Sequence, residues 1–211
     1  MVPDGDSRFF TLRPVHIDLG DMVVQVVAVA LGVLLGLGAA AWTDRLREQA
    51  TLHDTVGNIA TEVRSNQQGL HVVMAAHAKL ATDLNALVKS ATPRASVSRG
   101  QIVTLFRGRP FSQNIPLGIA WQIAQNDRGL ALLPYDERYQ LAWVYQLQTV
   151  FVASEQRFAD TVFSPQEPAA DNYFFATVSL ANQVGSIVAN ERQLDGLYTS
   201  TLRSLHEQYG V

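Results

Sequence analysis

Five histidines (His16, His53, His71, His77 and His206) and the acidic pairs Asp136/Glu137 and Glu191/Asp195 have the chemistry for proton transfer or metal binding. Their spacing does not assemble them. His71 and His77 are six residues apart, which does not bring them to one helix face, and neither sits in an HExxH motif. His53 adjoins Asp54, but neighbours on a helix point in different directions. A metal site would have to draw ligands from several helices, and nothing local demands one. The histidines are therefore expected to be solvated or at the core edge, and the acidic pairs to be exposed helix charges. The absence of cysteine excludes disulfides, thiolate metal ligands and a cysteine nucleophile. There is no P-loop and no GxSxG. Gly36-Leu37-Gly38-Ala39-Ala40-Ala41 matches the GxGxxA dinucleotide fingerprint, but that motif needs a preceding strand and a helix that begins at the glycines. These glycines lie inside an apolar run. No catalytic, cofactor-binding or metal-ligating residue is assigned, no cofactor is expected, and the chain is expected not to be an enzyme. A net charge of −3 also argues against nucleic acid as a partner.

The stretch Met22–Trp42 organises the rest. Its 21 residues carry no charge and one polar side chain, Gln25. As a helix it is about 31 Å long, the thickness of a bilayer's hydrocarbon core. A cleaved signal peptide is the competing reading, since Gly38 to Ala41 is a small-residue run. The apolar core is longer than a usual h-region, however, and Asp4, Asp6, Asp18 and Asp21 outweigh Arg8 and Arg13 in the leader. A retained anchor is expected, with Asp18 as its N-cap. Ala28, Gly32, Gly36 and Ala40 recur every four residues, so they form one stripe, with Gln25 on nearly the same face. Such a stripe lets a second helix approach closely within lipid. Trp42, Arg45 and Arg47 are assigned to the membrane interface. The Arg45/Arg47 pair lies closer to the span than Arg8 and Arg13, which tilts the body toward the cytoplasm. Arginine outnumbers lysine 14 to 2, the mark of a GC-rich bacterial gene, so a bacterial inner membrane is the expected location.

Beyond Trp42, apolar residues from Leu46 to Leu87 recur mostly at three- and four-residue steps, which predicts a helix over 43–90 that continues the span. Gly57 and Gly69 are candidate bend points in it. Short helices are expected at Gln101–Arg107 and Leu117–Leu130, and long ones from Pro134 to Phe163 and from Asn172 to Glu207. Asp171 and Gly210 should cap the last of these. Dense aromatics in the second half should be mostly core, and Tyr173-Phe174-Phe175 cannot all face one side, so at least one of them should be exposed. The segment from Lys79 to Arg128 carries seven basic and two acidic residues, which suits a solvated loop, an acidic partner or lipid headgroups.

The organisation expected is a polar leader over 1–21, a transmembrane helix over 22–42 and a helical domain over 43–211. The fold class is all-α, with the membrane helix running into a long helix that packs with others as an antiparallel bundle. Several stretches together resemble a group of small bacterial membrane proteins classed as a domain of unknown function. They are Gly32-Val-Leu-Leu-Gly36, Ala41-Trp42, Asp44-Arg45-Leu46-Arg47-Glu48, Ile59-Ala-Thr-Glu62-Val-Arg-Ser-Asn66, Ala120-Trp121-Gln122-Ile123-Ala124 and Leu141-Ala-Trp-Val-Tyr145-Gln-Leu-Gln148. The resemblance covers roughly 22–148. It implies single-span topology and a helical body, and no activity.

Two functions fit these expectations. One is an accessory subunit that anchors in the bilayer and braces a larger complex of other membrane subunits, with an energy-transducing assembly, respiratory or photosynthetic, as one candidate host. The other is a self-associating scaffold or sensor, a homo-oligomer with a coiled-coil-like stalk. Asn66, Gln67 and His77 interrupt the heptads a coiled coil wants, which favours the accessory subunit.

Overall fold

The computed structural model describes residues 19–91, 97–106, 114–163 and 173–211. Regular structure among them is entirely helical: α1 (Leu19–Ser90), α2 (Arg99–Phe106), α3 (Ile119–Asn126), α4 (Gly129–Leu132), α5 (Tyr135–Phe163) and α6 (Phe174–Tyr209). The all-α class expected from the 3.6-residue period is what forms. Two compact units divide the chain, Met1–Arg47 and Glu48–Val211.

In the first unit the described residues belong to α1. The expected cap Asp18 lies outside the described residues. One window of this helix reaches a mean hydropathy of 2.4 with none of it buried inside the chain, so α1 contains a stretch long and apolar enough to cross a membrane. Its valines and leucines from Val23 to Leu37 are between 51% exposed at Val27 and 74% at Leu35.

The second unit is built of four legs. The C-terminal part of α1 is the first. The second is broken: an extended stretch over 114–118, then α3, then α4. It descends along α1 in reverse order. Asn114 lies at Gly69, Leu117 at Asn66, Ala120 at Glu62 and Gly129 at Thr55. α5 rises again, with Tyr145 bonded to Glu62. α6 returns antiparallel to α5, from Gln148–Tyr198 to Glu137–Tyr209. Consecutive legs are thus antiparallel, as an up-and-down bundle requires. Apolar stripes from three helices meet in the core: Val56, Ile59, Leu70, Val73 and Leu84 from α1, Leu141, Val144, Phe151 and Phe158 from α5, and Val184, Ile187, Leu194 and Tyr198 from α6.

The single helix expected over Leu117–Leu130 is instead two. Asp127 leaves the helix with extended backbone angles, and its carboxylate accepts the Arg128 N–H at 2.7 Å. Gly129 then sits so close to α1 that a Cβ there would lie 1.9 Å from Thr55 Oγ1. Only a glycine permits that approach. Gly69 serves a similar purpose, since a Cβ on it would meet Asn114 Oδ1 at 2.8 Å. Asp171 lies outside the described residues. α6 starts after Tyr173, which makes no side-chain capping bond. At its other end Gly210 closes α6 in the left-handed conformation, φ 72°, and donates to the His206 carbonyl as expected. Phe175 is exposed while Tyr173 and Phe174 are half-buried, so the aromatic triplet divides as the helix geometry demands.

Candidate functional site

Polar side chains enter the core of the bundle, and among the described residues two groups of them link α1 to the other legs. At the first, α1 supplies the hydrogen bonds that the broken second leg cannot make for itself. Residues 114–118 are not helical, so their backbone groups need outside partners. The Asn66 amide provides two: its Nδ2 donates to the Leu117 carbonyl at 2.7 Å, and its Oδ1 accepts the Leu117 N–H at 2.7 Å. The α3 N-terminus has no cap of its own, because Gly118 stands at the N-cap. Glu62 fills the role from α1, its Oε2 accepting the Ala120 N–H at 2.8 Å. Its Oε1 accepts the Tyr145 hydroxyl at 2.7 Å. Burial and the hydrogen bond to the Glu62 carboxylate raise the Tyr145 phenol far above its ordinary value and keep it a neutral donor. Trp121 stacks on Tyr145 at 5.0 Å. This level is a structural clasp that joins α1, the second leg and α5.

At the second level, His77 of α1, Glu155 of α5 and Glu191 of α6 converge. All three are buried, at 1%, 1% and 0% exposure. One ligand-capable atom of each lies within 4.8 Å of the other two. His77 Nδ1 and Glu191 Oε1 are 2.5 Å apart, within hydrogen-bond reach. The Glu155 carboxyl is pushed up to about 7, first by burial and also by the charge of Glu191. The charge of His77 and a hydrogen bond from the Asn114 backbone act in the opposite direction. Glu155 Oε1 and Glu191 Oε2 have no hydrogen-bond partner among the described residues. Toward the solvent edge, Asp195, four residues after Glu191, accepts from Gln67 at 2.8 Å and pairs with His71 at 2.7 Å. Burial opposes ionisation of Asp195, but the bonds from Gln67 and His71 and the His71 charge hold its carboxyl below its usual value.

Two sequence-based expectations are overturned here. His77 is a core residue and not solvated, and Glu191 is fully buried and not an exposed helix charge. Both lie on the inward stripe, four residues after one core side chain and three before the next: Val73/Leu80 for His77 and Ile187/Leu194 for Glu191. Glu155 was missed altogether, though it has the same spacing between Phe151 and Phe158. A polar residue that interrupts an apolar stripe in register is the signal that would have found all three. His53 and Asp136 are exposed as expected, whereas Asp195 is half-buried. Glu137 is half-buried and accepts the Tyr209 hydroxyl at 2.6 Å. His16 lies outside the described residues.

The residues assigned to helix packing, Gln25, Ala28, Gly32, Gly36 and Ala40, are all exposed, and a Cβ at Gly32 or Gly36 would meet nothing within 4 Å. Trp42, Arg45 and Arg47 are exposed as well, and Arg47 pairs with Asp44 at 3.6 Å. In the basic segment, Lys79 pairs with Asp83 at 3.5 Å, while Arg94, Arg107 and Arg109 lie outside the described residues. Compared with known protein families, curated proteins and solved structures, the chain matches none.

Proposed function

We propose that the protein is a non-catalytic, membrane-anchored accessory subunit, with residues 22–42 in the bilayer and a helical body that braces a larger membrane complex. One observation carries the reading: the apolar half of α1 is exposed along its whole length, and none of its most apolar window is buried among the described residues. Ten valines and leucines between Val23 and Leu37 favour bilayer over water by about 0.3–0.6 kcal/mol each, roughly 3–6 kcal/mol in all. The stripe Ala28/Gly32/Gly36/Ala40, with Gln25 beside it, is free to take a partner helix. The non-catalytic part is supported by the polar levels of the bundle: one is a clasp whose partners are all within the chain, and the other is sealed from solvent, so a substrate has no access to it. A bacterial inner membrane, with the body on the cytoplasmic side, completes the reading and rests on the arginine content and on Arg45 and Arg47.

Extraction of the full chain in mild detergent, followed by native mass measurement and identification of co-purifying chains, tests it. A hetero-complex of defined mass is expected. A homodimer would replace this reading with the self-associating scaffold, and a monomer in the aqueous fraction would sink both.

A further inference from the structure

We propose that His77, Glu155 and Glu191 form a binding site for one first-row divalent cation, Mn²⁺, Fe²⁺ or Zn²⁺, that ties the three long helices of the bundle together. The proposal is independent of the membrane reading.

Distance comes first. Ligand atoms around an ion at about 2.0–2.2 Å from each stand roughly 3.0–3.5 Å apart when adjacent and about 4.2 Å when opposite. The three candidate atoms already lie within 4.8 Å of one another. Side-chain adjustments of under about 1 Å would close the set, with the His77–Glu191 contact of 2.5 Å opening by about 0.5 Å to admit the ion.

Charge and hydrogen bonding come second. A bound dication would match the charge of the two carboxylates one to one, as ligation in a dry core requires. Glu155 Oε1 and Glu191 Oε2 are deeply buried and have no hydrogen-bond partner among the described residues. Buried polar atoms in folded proteins are nearly always satisfied, and lone pairs left over on two converging carboxylates are donors for a metal. The Asn114 backbone also bonds to Glu155, which would hold that carboxylate in a fixed orientation toward the ion.

Donor type narrows the ion. One imidazole and two carboxylates, with no thiolate in the chain, suit a borderline or hard first-row dication and not copper(I). Ca²⁺ and Mg²⁺ favour all-oxygen shells. With each ligand on a different helix and none exposed, the bound ion would be structural, linking α1, α5 and α6 near mid-bundle.

The test uses the full chain in detergent, treated with chelator and then titrated with Zn²⁺ alone or Mn²⁺ alone by calorimetry. One ion per chain and a raised thermal midpoint are expected. Glu155→Gln and Glu191→Gln should each weaken binding by at least about tenfold, while His71→Ala, at the exposed pair one level out, should leave it unchanged. X-ray absorption on the Zn²⁺-loaded wild type should show one nitrogen and carboxylate oxygens at about 2.0–2.2 Å, a readout that does not depend on how the variants fold. No stoichiometric uptake by the folded chelator-treated protein would overturn the proposal. So would an all-water coordination shell, or wild-type affinity in both glutamine variants.

Discussion

Glu62 offers the sharpest stability test, because two substitutions there separate shape from charge. Its carboxylate accepts from Ala120 N–H at 2.8 Å and from the Tyr145 hydroxyl at 2.7 Å, in a site 8% exposed. Hydrogen bonds to a charged acceptor contribute about 1.5–3 kcal/mol each. Glu62→Leu removes both and leaves the α3 N-terminus and a buried phenol without an acceptor. Some apolar burial is regained, so a net loss of about 3–5 kcal/mol follows. For a chain of this size each kcal/mol lowers the melting midpoint by about 2–4 °C, which gives a drop of roughly 6–20 °C. Glu62→Gln is different. Its carbonyl can still take the Ala120 N–H and its NH₂ can donate to the Tyr145 oxygen, so only the charge and the acceptor for the phenol proton are lost, at about 1–2 kcal/mol. Thermal and urea unfolding of the full chain in micelles, followed by far-UV circular dichroism, measures both. If Glu62→Gln costs as much as Glu62→Leu, or if Glu62→Leu lies within about 1 kcal/mol of wild type, the clasp is not holding the second leg and the reasoning fails.

Other predictions follow from single contacts. Gly129→Ala should destabilise by about 1–3 kcal/mol, since its Cβ would sit 1.9 Å from Thr55 Oγ1, and the same change in a Thr55→Ala background should cost less, as denaturant titrations can show. Asp195 is held below its ordinary value of 3.8, so the ionised form is favoured in the folded state. Its contribution should be complete above pH 3.8 and fade as the pH falls through the lower folded value, so an Asp195→Asn variant should lose its stability deficit only in that acid range. Gly32→Leu and Gly36→Leu should leave membrane insertion intact and reduce complex size on native mass measurement, because a Cβ at either position meets nothing within 4 Å among the described residues. An unchanged complex in both variants would remove the stripe as a docking surface.

Much of the fold is written in local spacing. The apolar stripe of α1, the helix start at Pro134, the left-handed cap at Gly210 and the split aromatic triplet at 173–175 all follow from helical period and backbone preference. The break at Asp127 does not, because the local pattern of Ile119, Ile123 and Leu130 reads as one helix. What ends it is the approach of Gly129 to Thr55, a contact across more than seventy residues of chain. Glu62, Asn66, Trp121 and Tyr145 all lie within the stretches quoted above for the resemblance, yet nothing in the sequence says that they meet.

The sequence by itself determined that residues 22–42 form an uninterrupted apolar run and that each later helix has an inward face. It even marked where His77, Glu155 and Glu191 interrupt those faces, each four residues after and three before a core side chain. Only the tertiary structure decided that the three interruptions fall at one level of the bundle. The period of a helix fixes which way a residue points, but what stands opposite depends on the lengths of the legs and the order in which they return. Those lengths place residue 77 beside residues 155 and 191, where charges that look solvated in the sequence become a closed cluster in the core.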